Sequence, residues 1–196
     1  KSGYTATVTV SDGALSVPQV VSVAITNLNE PPVFTSSGTM SADENQLLVS
    51  MVTASDPEND ALSFGVTGSE LSIASDGSLS FVSAPDFETQ SSYMTTVTVT
   101  DGTNAVTQDL TITINNINEA PVFNVPIEFA VDENQLTIGS LSVTDPENDV
   151  LSYTISGSEL AVTSDGILTF NESPDFEVKS GYTATVTVSD GALSVP

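Results

Sequence analysis

Apolar and polar residues alternate one for one through much of this chain. Thr5 to Val10 reads TATVTV, Thr95 to Thr100 reads TTVTVT, and Leu110, Ile112 and Ile114 alternate with Thr111 and Thr113. A period of two carried by Val, Ile and Thr fits a pleated strand with one buried face. Turn signals break these runs every eight to twelve residues: DPEND, TGSE, SDGS, APDFE and TDGTN. No segment shows a helical period. From Pro31 onward the pattern predicts strands near 33–41, 46–54, 61–67, 70–75, 78–82, 92–100 and 105–115.

The same pattern recurs with a fixed spacing. KSGYTATVTVSDGALSVP stands at Lys1–Pro18 and again at Lys179–Pro196, and a diverged copy, QSSYMTTVTVTDGTNAVT, begins at Gln90. The step is 89 residues, and DENQL (Asp43, Asp132), DPEND (Asp56, Asp145) and PDFE (Pro85, Pro174) keep it without insertion or deletion. NLNEPPVF at Asn27 is matched by NINEAPVF at Asn116. Such a period marks an array of repeated domains. Its frame predicts the last two strands of one repeat over residues 1–30, a complete repeat over 31–119, and a repeat lacking its last strand over 120–196. Seven short strands per repeat predict an all-β chain of tandem Greek-key, immunoglobulin-like seven-stranded β-sandwiches. Tyr4, Tyr93 and Tyr182 share one repeat position and are expected at the core or its corner.

Charge sharpens this picture. The 196 residues carry 26 Asp and Glu against two Lys, with no Arg or His, for a net charge of −24. Nucleic acid and anionic membrane surfaces would both need a basic patch, so neither is an expected partner. No stretch approaches the ~20 apolar residues of a transmembrane helix, so direct membrane insertion is not expected. The absence of Cys removes disulfides, thiolate metal sites and cysteine nucleophiles.

The acids repeat with the fold. Of the 26, 23 occupy positions that are acidic in another repeat; Asp109, Glu128 and Glu172 do not. Segments between them have drifted, as in TSSGTMSA against NVPIEFAV. Taken singly, DPEND, SDG, TDG, DEN and PDFE all read as turn or loop chemistry. Together, with no Arg and only two Lys to pair them, they suit a hard cation that takes 6–8 oxygen ligands. Surface adaptation to salt would let the acids wander between repeats instead.

These residues resemble the cadherin repeat in its bacterial cadherin-like form, over the whole chain. Glu44 and Glu133 in DEN match its first Glu; Asp86 with Glu88, and Asp175 with Glu177, match its Asp-x-Glu motif. Asp56 with Glu58, and Asp145 with Glu147, match its next acidic loop, and Asp12, Asp101 and Asp190 match its late Asp. The linkers INNINEAPVF and ITNLNEPPVF depart from the animal pattern of Asp-x-Asn-Asp-Asn, which implies one or two ions per junction. The resemblance implies calcium bound between successive repeats. At the junction of repeats two and three the ligands would be Glu44, Asp86 and Glu88, then Asn118 and Glu119, then Asp145, Glu147, Asp149 and Asp190. Asp12, Asn29, Glu30, Asp56, Glu58, Asp60, Asp101, Glu133, Asp175 and Glu177 would form equivalent half-sites. Like charges about 4 Å apart repel by ~4 kcal/mol at an effective dielectric near 20. A divalent ion reverses that sign, so a flexible chain without calcium and a stiff rod with it are expected.

The function implied is a calcium-rigidified extender of a secreted bacterial cell-surface adhesin, extracellular, projecting a distal binding domain. The alternative is a recognition module that binds polysaccharide or another cadherin-like domain, although no Trp and only four Tyr are present to build a sugar platform. Catalysis is not expected: carboxylate pairs could serve glycoside hydrolysis, but here they recur in every repeat like ligands. Finally, Gln19 to Asn29 hold the strand that residues 120–196 lack. Residues 1–29 are therefore expected to complete the truncated repeat of a neighbouring copy.

Overall fold

The computed structural model describes residues 3–124 and 127–196. The first two residues of the repeated stretch, and residues 125 and 126, lie outside them. The chain divides into two compact units: Lys1–Met40, Leu47–Ser83 and Tyr93–Ile112 make one, and Ser41–Gln46, Ala84–Ser92 and Thr113–Pro196 make the other.

The chain begins with β1 (Gly3–Ser11) and β2 (Ser16–Ala24), a nine-rung antiparallel hairpin from Gly3 opposite Ala24 to Ser11 opposite Ser16. Asp12 closes its turn by accepting from the Ala14 and Leu15 N–H groups at 2.8 and 2.7 Å. Although the sequence alternates, both strands are exposed on both faces. Tyr4, expected at a core, is 52% exposed.

Next come β3 (Val33–Phe34), β4 (Thr39–Asp43), β5 (Leu48–Met51), β6 (Ala54–Ser55), β7 (Ser63–Val66), β8 (Leu71–Ile73), β9 (Ser78–Phe81), β10 (Ser92–Thr100) and β11 (Ala105–Asn115). They form a four-stranded sheet in the order β4-β11-β10-β7, a three-stranded sheet β5-β9-β8, and the short pair β3-β6. Two predicted strands, 33–41 and 46–54, are each broken in two. The cause is a change of partner: β3 pairs with β6 whereas β4 pairs with β11, and the chain crosses over through Ser36–Gly38. Thr35 and Ser36 N–H both donate to the Thr53 carbonyl there. A β-carbon at Gly38 would stand 3.0 Å from the Asp109 carbonyl, so any larger residue there would crowd the crossover.

Burial follows the alternation of β9, β10 and β11. Leu79, Val97, Val99, Leu110, Ile112 and Ile114 are the most deeply buried residues of these three strands. Phe81 meets Tyr93 edge-on with ring centroids 4.9 Å apart, the corner position expected from the repeat. Gly77 closes the SDG turn at φ +91°, with its carbonyl accepting from Val52 N–H. A β-carbon at Gly77 would run into the Val52 carbonyl. Gly77→Ala is therefore expected to cost about 1–3 kcal/mol, read as a lowered midpoint in urea unfolding.

The remaining strands are β12 (Val122–Phe123), β13 (Thr137–Ser140), β14 (Val143–Thr144), β15 (Ser152–Ile155), β16 (Leu160–Val162), β17 (Ile167–Phe170), β18 (Val186–Ser189) and β19 (Ser194–Val195). They repeat the earlier pairings as β12-β14, β13-β17-β16 and β15-β18-β19. Leu168, Phe170, Val186 and Val188 are buried, and Phe170 packs edge-on against Tyr182 at 4.9 Å. Two differences separate this repeat from the one before. Among its described residues no strand corresponds to β4, and β19, the counterpart of β11 beside β18, spans two residues where β11 spans eleven. The strand β18 spans four residues where β10 spans nine.

Candidate metal centre

The acid-rich loops place their carboxylates by backbone geometry. In DPEND, Asn59 and Asn148 adopt φ of 61° and 60°, a left-handed conformation that Asn tolerates. That curl returns the Glu58 and Asp60 N–H groups to Asp56 Oδ1 at 2.9 and 3.1 Å, and the Asp149 N–H to Asp145 Oδ1 at 2.9 Å. One carboxylate oxygen thus holds the turn and the other is left over. Asp56 Oδ2 and Asp145 Oδ2 are buried with no hydrogen-bond partner, and so is Glu147 Oε1. Asp145 is only 8% exposed.

The second unit gathers most of the predicted junction ligands. Glu44, Glu88 and Glu119 each bring one carboxylate oxygen within 4.8 Å of the other two. Glu44 is 1% exposed; its Oε1 accepts from Ile117 N–H at 2.7 Å and its Oε2 from Phe87 N–H at 2.8 Å. Glu147 Oε2 accepts from Glu119 N–H at 3.3 Å. Asp190 Oδ1 takes the Ala192 and Leu193 N–H groups, both at 2.6 Å, while Oδ2 accepts from Asn118 Nδ2 at 2.9 Å. Asp86 instead caps its own turn through the Thr89 N–H and hydroxyl, and Asp149 is exposed and contributes through its N–H.

Two residues absent from the expected ligand set also join. Asn116 donates to Glu88 Oε1 at 3.0 Å, and Asn45, at φ 61°, donates to Glu119 Oε1. A neutral Asn beside a cluster of acids carries no charge signal in the sequence. The left-handed Asn of DEN is a turn signal that could have pointed to Asn45.

Equivalent groupings recur. In the first unit Asn29 Nδ2 donates to Asp101 Oδ2 at 2.9 Å, Glu30 N–H to Glu58 Oε2 at 3.2 Å, and Asn27 Nδ2 to Glu58 Oε1 at 3.3 Å. Asp101 Oδ1 closes its loop on Thr103 and Asn104 N–H, as Asp12 and Asp190 do. Asp60 is exposed. In the second unit Glu133, Asp175 and Glu177 again bring oxygens within 4.8 Å of one another, with Phe176 N–H donating to Glu133 Oε2 at 3.0 Å. All three of those acids are exposed.

Local hydrogen bonds set the proton affinities. Backbone N–H donors from Asn104 and Thr103 hold Asp101 below the ordinary aspartate value of 3.8. The Asn118 amide, then the Leu193 N–H, does the same for Asp190. Glu88 goes the other way: partial desolvation of its carboxyl, although the residue is exposed, raises it above 4.5, and the charges of Glu44, Glu147 and Asp86 add to the rise. In chelator, a carboxyl titration by NMR is expected to find Asp101 and Asp190 protonating below 3.8 and Glu88 above 4.5. The stability Asp101 and Asp190 contribute is then present above pH 3.8 and lost as pH falls through their depressed values. The penalty at Glu88 is present above its raised pKa and gone below 4.5.

An ion is a reasonable occupant on chemical grounds. The donor set is all oxygen, several are carboxylates, and buried anionic oxygens stand without donors. An anion without a donor in a buried place is costly unless a cation meets it. Hard cations of the calcium type take such sets, and the residues fit.

A family model described as Bacterial Ig domain matches residues 29–115 and 118–195. Chitinase A of Pseudoalteromonas piscicida is 31% identical over 126 residues, covering 63% of this chain and 15% of that protein. Cadherin-23 of Mus musculus is 30% identical over 158 residues, covering 72% of this chain and 5% of that protein. The chain thus spans a small part of either relative. Among solved structures, human protocadherin-24 EC1-2 superposes with a TM-score of 0.55 at 20% identity, covering 86% of this chain and 95% of that one. That likeness establishes the fold: tandem cadherin-like sandwiches.

Proposed function

Because the chain belongs to the bacterial Ig domain family, we propose that its repeats are calcium-rigidified spacers of a secreted bacterial cell-surface adhesin. In this reading they are extracellular, non-enzymatic, and carry a distal binding domain away from the cell. Repeats of this family are commonly extracellular and adhesion-related. The observation that carries the reading is the pair of buried oxygens without donors, Asp145 Oδ2 and Glu147 Oε1, on the loop whose Glu147 also holds Glu119.

A bound calcium supplies a divalent charge that neutralises neighbouring carboxylates and ties together the backbones that carry them. The chain's own residues do the positioning. Glu44 fixes the PDFE loop and the linker through the Phe87 and Ile117 N–H groups. Glu147 holds the linker at Glu119, and Asp190 holds it at Asn118. Glu44, Glu88, Glu119, Asp145, Glu147 and Asp190 are the proposed ligands, with Asp86, Asn118 and Asp149 at the margin. Asp12, Asn29, Glu30, Asp56, Glu58, Asp60, Asp101, Glu133, Asp175 and Glu177 take the same parts at neighbouring junctions.

Each repeat would extend a spacer by roughly 30–40 Å, the length of a nine-residue strand at ~3.3 Å per residue plus loops. Neighbouring copies are the proposed partners, through strand complementation by residues 1–29. Isothermal titration with calcium, alongside small-angle scattering with and without chelator, tests the spacer. Saturable binding with Kd about 10⁻⁴ to 10⁻³ M and a longer particle in calcium are expected. No saturable binding and an unchanged scattering profile would sink it.

A further inference from the structure

The small sheet β5-β9-β8 turns one face away from the core. Leu48 stands opposite Ser80 and Met51 opposite Ser78. Along β9, Ser78 and Ser80 alternate with the buried Leu79 and Phe81, and Val82 continues the outward row. Leu48, Met51 and Val82 therefore share the outer face, where they are 63, 52 and 60% exposed. One 89-residue step later the same positions hold Thr137, Ser140 and Asn171. The Asn171 amide is spent on the Ser158 carbonyl at 2.7 Å. The apolar strip thus belongs to residues 31–119 and is not part of the framework that the repeats share.

A carboxylate borders the strip. Val82 N–H donates to the Glu70 carbonyl at 2.9 Å, which sets the exposed Glu70 beside Val82. The counterpart of Glu70 is Glu159, and there the structure shows what such a carboxylate takes. Lys179 Nζ donates to both Glu159 oxygens, at 2.5 and 2.6 Å, and lies 4.5 Å from the centre of the Tyr182 ring. In residues 31–119 the same ring is present as Tyr93, edge-on to Phe81. The lysine is not: its place is taken by Gln90, whose amide donates to the Ser92 carbonyl at 2.8 Å. Lys179 is the one basic side chain among the described residues, so Glu70 meets no cation there.

We propose that this face docks an extended segment of a partner protein that carries a lysine among apolar residues. Leu48, Met51 and Val82 take its apolar side chains, and Glu70 takes its ammonium as Glu159 takes Lys179. Charge complementarity selects this occupant. A chain of net charge −24 repels acidic surfaces and anionic membranes, and a second copy already has its Lys179 held by Glu159. Three apolar side chains and one carboxylate cover far less than the ~800 Å² per partner of a stable interface, so the occupant is a short segment and the contact is transient. None of these four residues is a proposed calcium ligand. A failed calcium titration therefore leaves this docking reading standing, and the reverse holds too.

NMR of the full chain with methyl-labelled methionine reads the face directly. Met51 lies on it, while Met40 and Met94 lie on β4 and β10 of the other sheet. The probe is a terminally blocked peptide of alternating leucine and threonine with one central lysine. It is expected to shift the Met51 methyl saturably and to leave Met40 and Met94 in place. Gln90→Lys supplies Glu70 with an ammonium from its own repeat and removes no contact residue; it is expected to weaken binding about fivefold at low salt. Leu48→Thr with Val82→Asn, the residues that the next repeat carries at those places, is expected to weaken it about tenfold. The same peptide with glutamate in place of lysine is expected not to bind. No saturable shift at Met51, equal shifts at all three methionines, or undiminished binding by Gln90→Lys would overturn the proposal.

Discussion

Calcium is expected to reverse the effect of neutralising Asp145. In chelator, Asp145→Asn removes a buried carboxylate whose Oδ2 has no donor, so the variant should unfold at higher temperature than the wild type. In calcium the order should invert. Ligand saturating at a hundredfold above Kd stabilises the wild type by about 2.7 kcal/mol, several degrees in melting temperature. The variant, short of one anionic ligand, should bind about tenfold more weakly and forfeit about 1.4 kcal/mol of that gain. Differential scanning calorimetry in both buffers reads the crossing directly. An acid that only keeps the surface soluble would give the same ordering in both, and that result would remove Asp145 from the site. Glu147→Gln should behave in the same sense, because Glu147 Oε1 is likewise without a donor while Oε2 holds the Glu119 N–H.

Replacing Glu44 is expected to unfold rather than merely unload. Its two oxygens satisfy the Phe87 and Ile117 N–H groups at 2.8 and 2.7 Å, and the side chain is 1% exposed. Glu44→Ala leaves both donors without a partner and opens a void, so a loss of about 2–4 kcal/mol is expected even in chelator. Glu44→Gln keeps the volume but turns an amide N–H₂ toward one of the donors, so about half that loss is expected. Urea unfolding of both variants in chelator measures the structural part, and calcium titration of Glu44→Gln measures the ligand part. Equal stability of wild type and Glu44→Ala would show that the carboxylate is not the element holding the linker to the PDFE loop.

The two variants separate roles that the hydrogen bonds already divide. Five acids at the loops and linkers spend one oxygen on a backbone N–H and keep the second for something else. Asp56, Asp145, Glu147, Asp101 and Asp190 all follow this pattern. The plain reading of DPEND and SDG as turns accounts for one oxygen of each acid, and the proposed ligand role falls to the other. An Asp at such a position closes the turn first, and closing it aims the remaining lone pairs.

Much of this was legible in the sequence, because strict alternation and an 89-residue step are local signals that survive in a single chain. Strands 92–100 and 105–115 match the pattern to the residue, since both lie in long period-2 runs. The breaks at Ser36–Gly38 and around Thr53 were not legible, because a strand that changes partner keeps the same alternation on both sides of the break. The clustering of Glu44, Glu88 and Glu119 was foreshadowed by their fixed repeat positions. The participation of Asn45 and Asn116 was not, since it depends on where two loops meet. Tyr4 shows the opposite limit: its repeat position predicts a corner packing like that of Tyr93, yet it is half exposed. A buried position needs a facing sheet as well as the right residue.

By itself the sequence determined the all-β class, the repeat and which residue types recur at each turn. Those follow from side-chain alternation and backbone preferences that act over a few residues. Only the tertiary structure decided which oxygen of each acid is taken and which stay unpartnered. These depend on hydrogen bonds and packing between segments more than seventy residues apart, such as Glu44 with Ile117 and Asn118 with Asp190. No local pattern encodes such pairings.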